Sequence, residues 1–329
     1  QARRCFAYDS GVPRRILITG ITGFAGSHLA EHAVAHGDEV HGLAFEEPPY
    51  PNLSAVAGEV RVHRGDLADA DAVRAAVQAA RPDVVVHLAG QAVPALASQD
   101  PTAAVRVNVL GTAAVVEALR AADATLVFAS TAEVYGAPEG PAREDAPIRP
   151  PNVYAATKVA AEALVRELGD RSVILRPVAQ IGPRQHPALA ASAFARQIAL
   201  AEAGQAEKVI RHGRLDARRD VIDVRDMARA YHLACDLTAS GAATFNVGSG
   251  RTVEVQEIFD GLVAMSRVPL RTELDPERVR AGDPSAVDVD SSAFRSRTGW
   301  EPGIPLATSL LDLLDHWRAQ VRGGVLARA

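Results

Sequence analysis

The run ILITGITGFAG, Ile16 to Gly26, is an apolar stretch that ends in glycines at positions 20, 23 and 26. Glycines at the end of a strand let the backbone turn sharply and approach a pyrophosphate, which then rests on the positive N-terminus of the following helix. By itself such a triplet is also an ordinary strand–helix turn. At the first strand of a βαβ pattern it reads as a dinucleotide-binding turn, with Gly20, Gly23, Phe24 and Gly26 as candidate cofactor contacts.

The pattern continues outward from this stretch. RILITG, EVHGLAF, EVRVHRGD, DVVVHLAG, TLVFAST, SVILRPV and TFNVGSG read as strands, separated by Ala-rich helical stretches such as FAGSHLAEHAVAHG and AAVRVNVLGTAAVVEALRAAD. Strands that are apolar throughout and alternate with helices predict a parallel sheet covered on both faces. The predicted fold is α/β, a Rossmann-type doubly wound parallel sheet over residues 14–182, with a smaller C-terminal substrate-binding lobe over 183–329. A later strand near 244–250 returns to the main sheet. Residues 1–13, which lack an apolar signal core, read as a disordered tail.

Composition narrows the function. Of 329 residues, 35 are Lys or Arg and 40 Asp or Glu, a net charge of -5 that argues against general affinity for nucleic acid or an anionic membrane. No apolar run is expected to reach the length of a membrane span. Cys5 and Cys235 form neither a disulfide framework nor a metal motif, so no metal is expected and a reducing cytoplasm fits best.

Three further places bear on a dinucleotide. Asp66, with Leu67, ends the third strand in RGDL, where a carboxylate can meet an adenine amino group. Leu88, Ala89 and Gly90 end the fourth strand and leave room for a cofactor. At the end of the second strand, an acid is expected for NAD or an arginine for NADP. Ala44 and Phe45 stand there, followed by Glu46 and Glu47, which would repel a 2′-phosphate. The expectation is NAD or NADP with a lean to NAD, which Arg64 on the next strand could reverse.

The chemistry lies in two short stretches. In NVYAATKVAAE, Tyr154 and Lys158 are four apart on one helix face. An ammonium beside a phenol is expected to lower its pKa from about 10, so that it can shuttle a proton at a carbinol carbon while hydride moves to or from nicotinamide. In FASTAEVYGAP, Thr131 and Glu133 sit two apart at a strand end, pointing the same way.

The glycine spacing, RGDL, NVLGT (Asn108 to Thr112), STAEVYG, YAATK and RPVAQIGP together resemble the extended short-chain dehydrogenase/reductases that modify nucleotide sugars, the NAD-dependent epimerase/dehydratase family. The resemblance covers roughly residues 15 to 320. It implies that Tyr154 is the acid/base, that Lys158 also holds the nicotinamide ribose, and that Thr131 binds the sugar 4-oxygen. In the family's 4,6-dehydratases the carboxylate at position 133 removes the C5 proton; plain 4-epimerases usually lack it, whereas some 4-ketosugar reductases keep it.

GRLDARRDVIDVRD, Gly213 to Asp226, resembles GDP-mannose 4,6-dehydratases and GDP-6-deoxy-4-ketohexose reductases. That resemblance implies Leu215 against the guanine, Arg219 and Arg280 on the diphosphate and Asp283 on the nucleotide ribose. Val178 and Ala179 stand where the family has Phe-Asn, and Gln180 is the candidate replacement for that substrate contact. The short acidic segment EEPPYPNLSAVAGE after the second strand points to the reductases. The expected function is reduction of a GDP-linked 6-deoxy-4-ketohexose. The alternatives are 4,6-dehydration, then 4-epimerisation, and remotely a non-catalytic dinucleotide-binding regulator. The resemblance also implies a homodimer formed through the helices near Pro101–Ala122 and Tyr154–Leu168.

Overall fold

The computed structural model of the chain describes residues 13–238, 243–279 and 286–324. The tail expected over 1–13 lies, apart from Pro13, outside the described residues. All seven expected strands form: β1 (Arg15–Thr19), β2 (Glu39–Ala44), β3 (Val60–Arg64), β4 (Val84–His87), β5 (Thr125–Ala129), β6 (Ser172–Pro177) and, after three strands of the second lobe, β10 (Ala243–Val247). They pair in parallel in the order β10-β6-β5-β4-β1-β2-β3. The order reverses between β1 and β4, and in open α/β sheets a ligand crevice forms at such a switch point, beyond the carboxyl ends of the strands.

Strand alternation sorts the core into two layers. Ile16, Ile18, Val84, Val86, Val127 and Val173 face one side, against α1 (Phe24–Ala35) and α8 (Val224–Leu237). Leu17, Val85, Leu126, Phe128 and Ile174 face the other, against α2 (Ala70–Ala80), α5 (Gly111–Arg120) and α6 (Val153–Arg166). Each such side chain, fully buried, contributes roughly 1.5–3 kcal/mol. The sequence assigned α8 to the smaller lobe, but the helix packs on α1 and the main sheet because Met227, Tyr231 and Ala234 supply an apolar face there.

The second lobe has its own core, built from Phe194, Ile198, Ile210, Phe259, Leu313 and Trp317. These residues come from α7 (Ala190–Glu202), β8 (Val209–His212), α9 (Val255–Ala264) and α11 (Leu306–Arg322). β9 (Arg218–Asp223) pairs with β7 (Ala179–Ile181), β11 (Thr252–Glu254) and β13 (Ala286–Val287), while β12 (Arg271–Leu274) pairs with β8.

One sequence expectation is corrected. After α3 (Pro94–Gln99), α4 (Pro101–Val105) runs through a π-helical turn, Arg106–Leu110, into α5. This 20-residue helix has a window of mean hydropathy 1.4, enough by length and composition to cross a membrane; 50% of that window is buried inside the protein.

The glycine-rich turn depends on close backbone approach. A Cβ on Gly26 would lie 2.1 Å from the Gly20 carbonyl oxygen, and Gly20 itself, at φ +70°, would press a Cβ to 2.9 Å from Ala89 Cα. Gly26→Ala is therefore expected to destabilise the protein by about 2 kcal/mol or more. Gly58→Ala, where a Cβ meets nothing within 4 Å, is expected to change stability by less than about 0.5 kcal/mol. Equilibrium denaturation of the two variants checks the contrast.

Candidate active site

The three glycines open the crevice at the switch point. Gly23 is the N-cap of α1, its N–H donating to the Gly20 carbonyl at 3.0 Å, and Phe24 is the first helical residue. Leu88 and Ala89 are half-buried and Gly90 is exposed at the end of β4. A Cβ on Gly90 would stand 2.8 Å from Asn108 Oδ1 and 3.9 Å from Lys158 Nζ. Backbone without side chains thus runs from the glycine turn to the Lys158 ammonium, a cradle shaped for an extended dinucleotide, and these residues fit one. Asp66 accepts from the Ala68 N–H at 2.9 Å and from Arg106 Nη2 at 3.2 Å, and Leu67 is buried beneath Gly111. Beside the end of β2, Glu46 accepts from Thr22 Oγ1 at 2.8 Å and Glu47 pairs with Arg64 at 2.7 Å.

A buried hydrogen-bond chain fixes the floor of this cradle. Thr19 Oγ1 lies 2.6 Å from His87 Nδ1, His87 Nε2 lies 3.0 Å from Thr112 Oγ1, and Thr112 donates to the Asn108 carbonyl at 2.6 Å. Burial, reinforced by the Lys158 charge, pushes His87 down to about 3, so the ring is neutral. That assigns Nδ1 as acceptor and Nε2–H as donor. Asn108 lies in the π-helical turn; its amide accepts from the Gln91 N–H at 2.7 Å and donates to Thr157 Oγ1 at 2.9 Å on α6.

The structure brings Thr131, Glu133, Tyr154 and Lys158 together. Thr131 and Glu133 belong to the turn that follows β5, and Thr131 Oγ1 also accepts from the Glu133 N–H at 3.2 Å. Asn152 caps α6, accepting from the Ala155 N–H at 2.9 Å, and its amide donates to Glu133 Oε2 at 3.0 Å. One residue thus orients both α6 and the carboxylate. Tyr154 and Lys158 are 8% and 6% exposed, and Lys158 Nζ lies 4.7 Å from the Phe128 ring centroid.

The electrostatics correct one expectation. Lys158 was expected to depress the Tyr154 pKa. Burial instead raises it well above the ordinary value, the Glu133 charge adds to the rise, and a hydrogen bond with Thr131 opposes it. Desolvation dominates because the phenolate would have to form in a nearly dry site. Lys158 is itself pushed down to about 8 by burial, with Glu162 opposing.

The substrate candidates are more scattered. Gln180 on β7 donates through Nε2 towards the Tyr231 hydroxyl at 3.5 Å, and its buried Oε1 has no hydrogen-bond partner. Tyr231, on α8, is close enough to influence Tyr154 electrostatically. Arg219 lies on β9, and Leu215, in the loop before it, packs half-buried against the second-lobe core. Arg280 and Asp283 lie outside the described residues. Sequence reasoning missed Tyr231, Asn152 and the His87 chain. Only Asn152 carried a signal, an N-cap residue directly before the helix.

The chain matches the NAD-dependent epimerase/dehydratase family over residues 16–248. It is 31% identical to the GDP-6-deoxy-D-mannose reductase of Pseudomonas aeruginosa, across 94% of this chain and 99% of that one. Among solved structures it is similar to RMD from Pseudomonas aeruginosa complexed with NADPH, at a TM-score of 0.78 and 30% identity over 93% and 99% of the two chains. It is also similar to the Thermus thermophilus UDP-glucose 4-epimerase complex with NAD, at a TM-score of 0.81 and 31% identity over 92% and 99%. The chain belongs to the NAD-dependent epimerase/dehydratase family and is an NAD(P)-dependent enzyme of the extended short-chain dehydrogenase/reductase class.

Proposed function

We propose that this protein reduces the 4-keto group of a 6-deoxyhexose carried on a nucleoside diphosphate, with GDP the favoured carrier. The observation that carries this reading is the similarity over nearly the whole chain to a GDP-6-deoxy-D-mannose reductase, with the Tyr154 phenol buried beside Thr131 and one turn before Lys158. In reduction the phenol gives its proton to the C4 oxygen. A reduced nicotinamide, when bound, would supply the hydride. Thr131 holds the ketone oxygen, Tyr154 protonates it as the alcohol forms, and the Lys158 cation stabilises the phenolate left behind.

Glu46 and Glu47 disfavour a 2′-phosphate and Arg64 is already paired with Glu47, so NADH is preferred over NADPH. Arg219 on β9 holds the diphosphate, and the Gln180 amide takes the contact that Ala179 cannot make. A second reading, 4,6-dehydration, is favoured by the orientation of Glu133 by Asn152 beside Tyr154. The protein works in the cytoplasm as a homodimer, in which α4, the π turn and α5 pack with α6 against their twins. Val105 and Leu110 on that surface are 43% and 58% exposed, and a second subunit would cover them.

Three outcomes check these proposals. With GDP-mannose in deuterated water no product is expected, whereas GDP-4-keto-6-deoxymannose should consume NADH or NADPH. A 4-keto-6-deoxy product with deuterium at C5 would replace reduction by dehydration. Light scattering at micromolar concentration is expected to give twice the chain mass, and a monomer would contradict the dimer. For Lys158→Met, loss of turnover should come with a gain in melting temperature at pH 7. The folded-state value of about 8 lies below the ordinary 10.5, so the charged lysine costs stability, on the order of 3 kcal/mol. That cost is fully present below pH 8 and fades as pH rises towards 10.5. An inactive variant with an unchanged or lower melting temperature would contradict it.

A further inference from the structure

Glu162 stands one turn beyond Lys158 on α6 and is 2% exposed. Its Oε1 accepts from Ser130 Oγ at 2.6 Å and Arg176 Nε at 2.9 Å, and its Oε2 from Arg176 Nη2 at 2.7 Å and Arg166 Nη2 at 3.1 Å. Arg176, on β6 and 3% exposed, also donates through Nη1 to the Tyr135 hydroxyl at 2.7 Å and the Glu144 carbonyl at 3.1 Å. The Tyr135 hydroxyl donates to Asn246 Oδ1 on β10 at 2.7 Å. One buried network therefore joins α6, β6, β10 and the turn after β5. Its two anchors on that turn, Ser130 and Tyr135, bracket Thr131 and Glu133.

A buried ion pair adds little stability compared with well-packed apolar residues, so stability alone does not account for this network. Composition adds a second point: the chain has 33 arginines and only two lysines, Lys158 and Lys208. Burial makes Lys158 a weakly held cation, unlike the guanidinium groups that predominate in this chain, which do not lose their charge.

We propose that Glu162, clamped by Arg176, is a positioning residue of the active site: its fixed carboxylate holds Lys158 as a cation beside Tyr154, and its bond to Ser130 sets the Thr131 strand end against α6. Among the described residues, Glu162 is the carboxylate whose charge bears on Lys158. His87 is neutral, the Tyr154 phenol keeps its proton, Asn108 is an amide, and Phe128 offers only its ring face. Around Glu162 stand the cations Arg176 and Arg166, and the nearby Glu144 carboxylate accepts from the Asn246 N–H at 2.9 Å.

The proposal rests on Lys158 serving the reaction above, but its test does not. Two lysines mean that the full-length protein labelled with [ε-13C]lysine gives two resonances; Lys158 is expected to have the lower midpoint, near 8, and Lys208→Arg removes the other resonance. Glu162→Gln is expected to lower that midpoint by about one unit, with the alkaline limb of kcat/KM moving down equally; Glu162→Asp should restore most of it. Because E162Q leaves Arg176 buried without its anion, the double variant E162L/R176M, which removes both charges, is the second arm, with the same downward shift. An unmoved Lys158 midpoint in either folded variant, even with kcat reduced, overturns the proposal. A shifted midpoint in a protein that turns over no nucleotide sugar supports it and removes the reductase reading instead.

Discussion

A phenol and an ammonium taken out of water one helical turn apart are the constraint that the rest of the structure answers. Desolvation pushes Tyr154 towards the phenol and Lys158 towards the free amine. Each group is useful only if neighbours hold it in place and in the needed protonation state. The neighbours come from every side: Asn152 caps the helix, Asn108 braces it through Thr157, and Glu162 ties it to β5 and β6. The cofactor cradle follows the same logic in reverse. Glycines at 20, 26 and 90 remove side chains where the backbone of one element must pass another.

The sheet was legible because its strands are buried on both faces, which leaves unbroken apolar runs such as Val84–Val86. Tyr154 and Lys158 were legible because helical spacing puts them on one face. Their protonation was not, because the sign of a pKa shift depends on how much water tertiary packing removes. The π-helical turn at Asn108 left no trace in propensity. The Glu162–Arg176 pair was not legible, since only the folded sheet brings positions 14 apart into a bidentate contact. α8 was misplaced for a related reason: its apolar face fits either lobe, and only packing against α1 decides.

These particulars bear on the direction of the reaction. In the described site Glu133 lies close enough to raise the Tyr154 pKa and is oriented by Asn152. A carboxylate there makes the phenol a weaker acid and its phenolate a stronger base, so the Lys158 cation is needed to offset it. The same carboxylate could in another enzyme take a proton from C5, so the residue alone does not separate the two reactions; the similarity over nearly the whole chain to a GDP-6-deoxy-D-mannose reductase favours reduction.

The most direct measurement is to follow isotope from a reduced nicotinamide cofactor deuterated at its transferring carbon. With a nucleotide-linked 4-keto-6-deoxyhexose, the account predicts deuterium at C4 of the product sugar, one atom per turnover, by NMR and mass spectrometry. Product formed without deuterium from the cofactor, with hydride instead moving within the sugar from C4 to C6 or returning to C4, would contradict it.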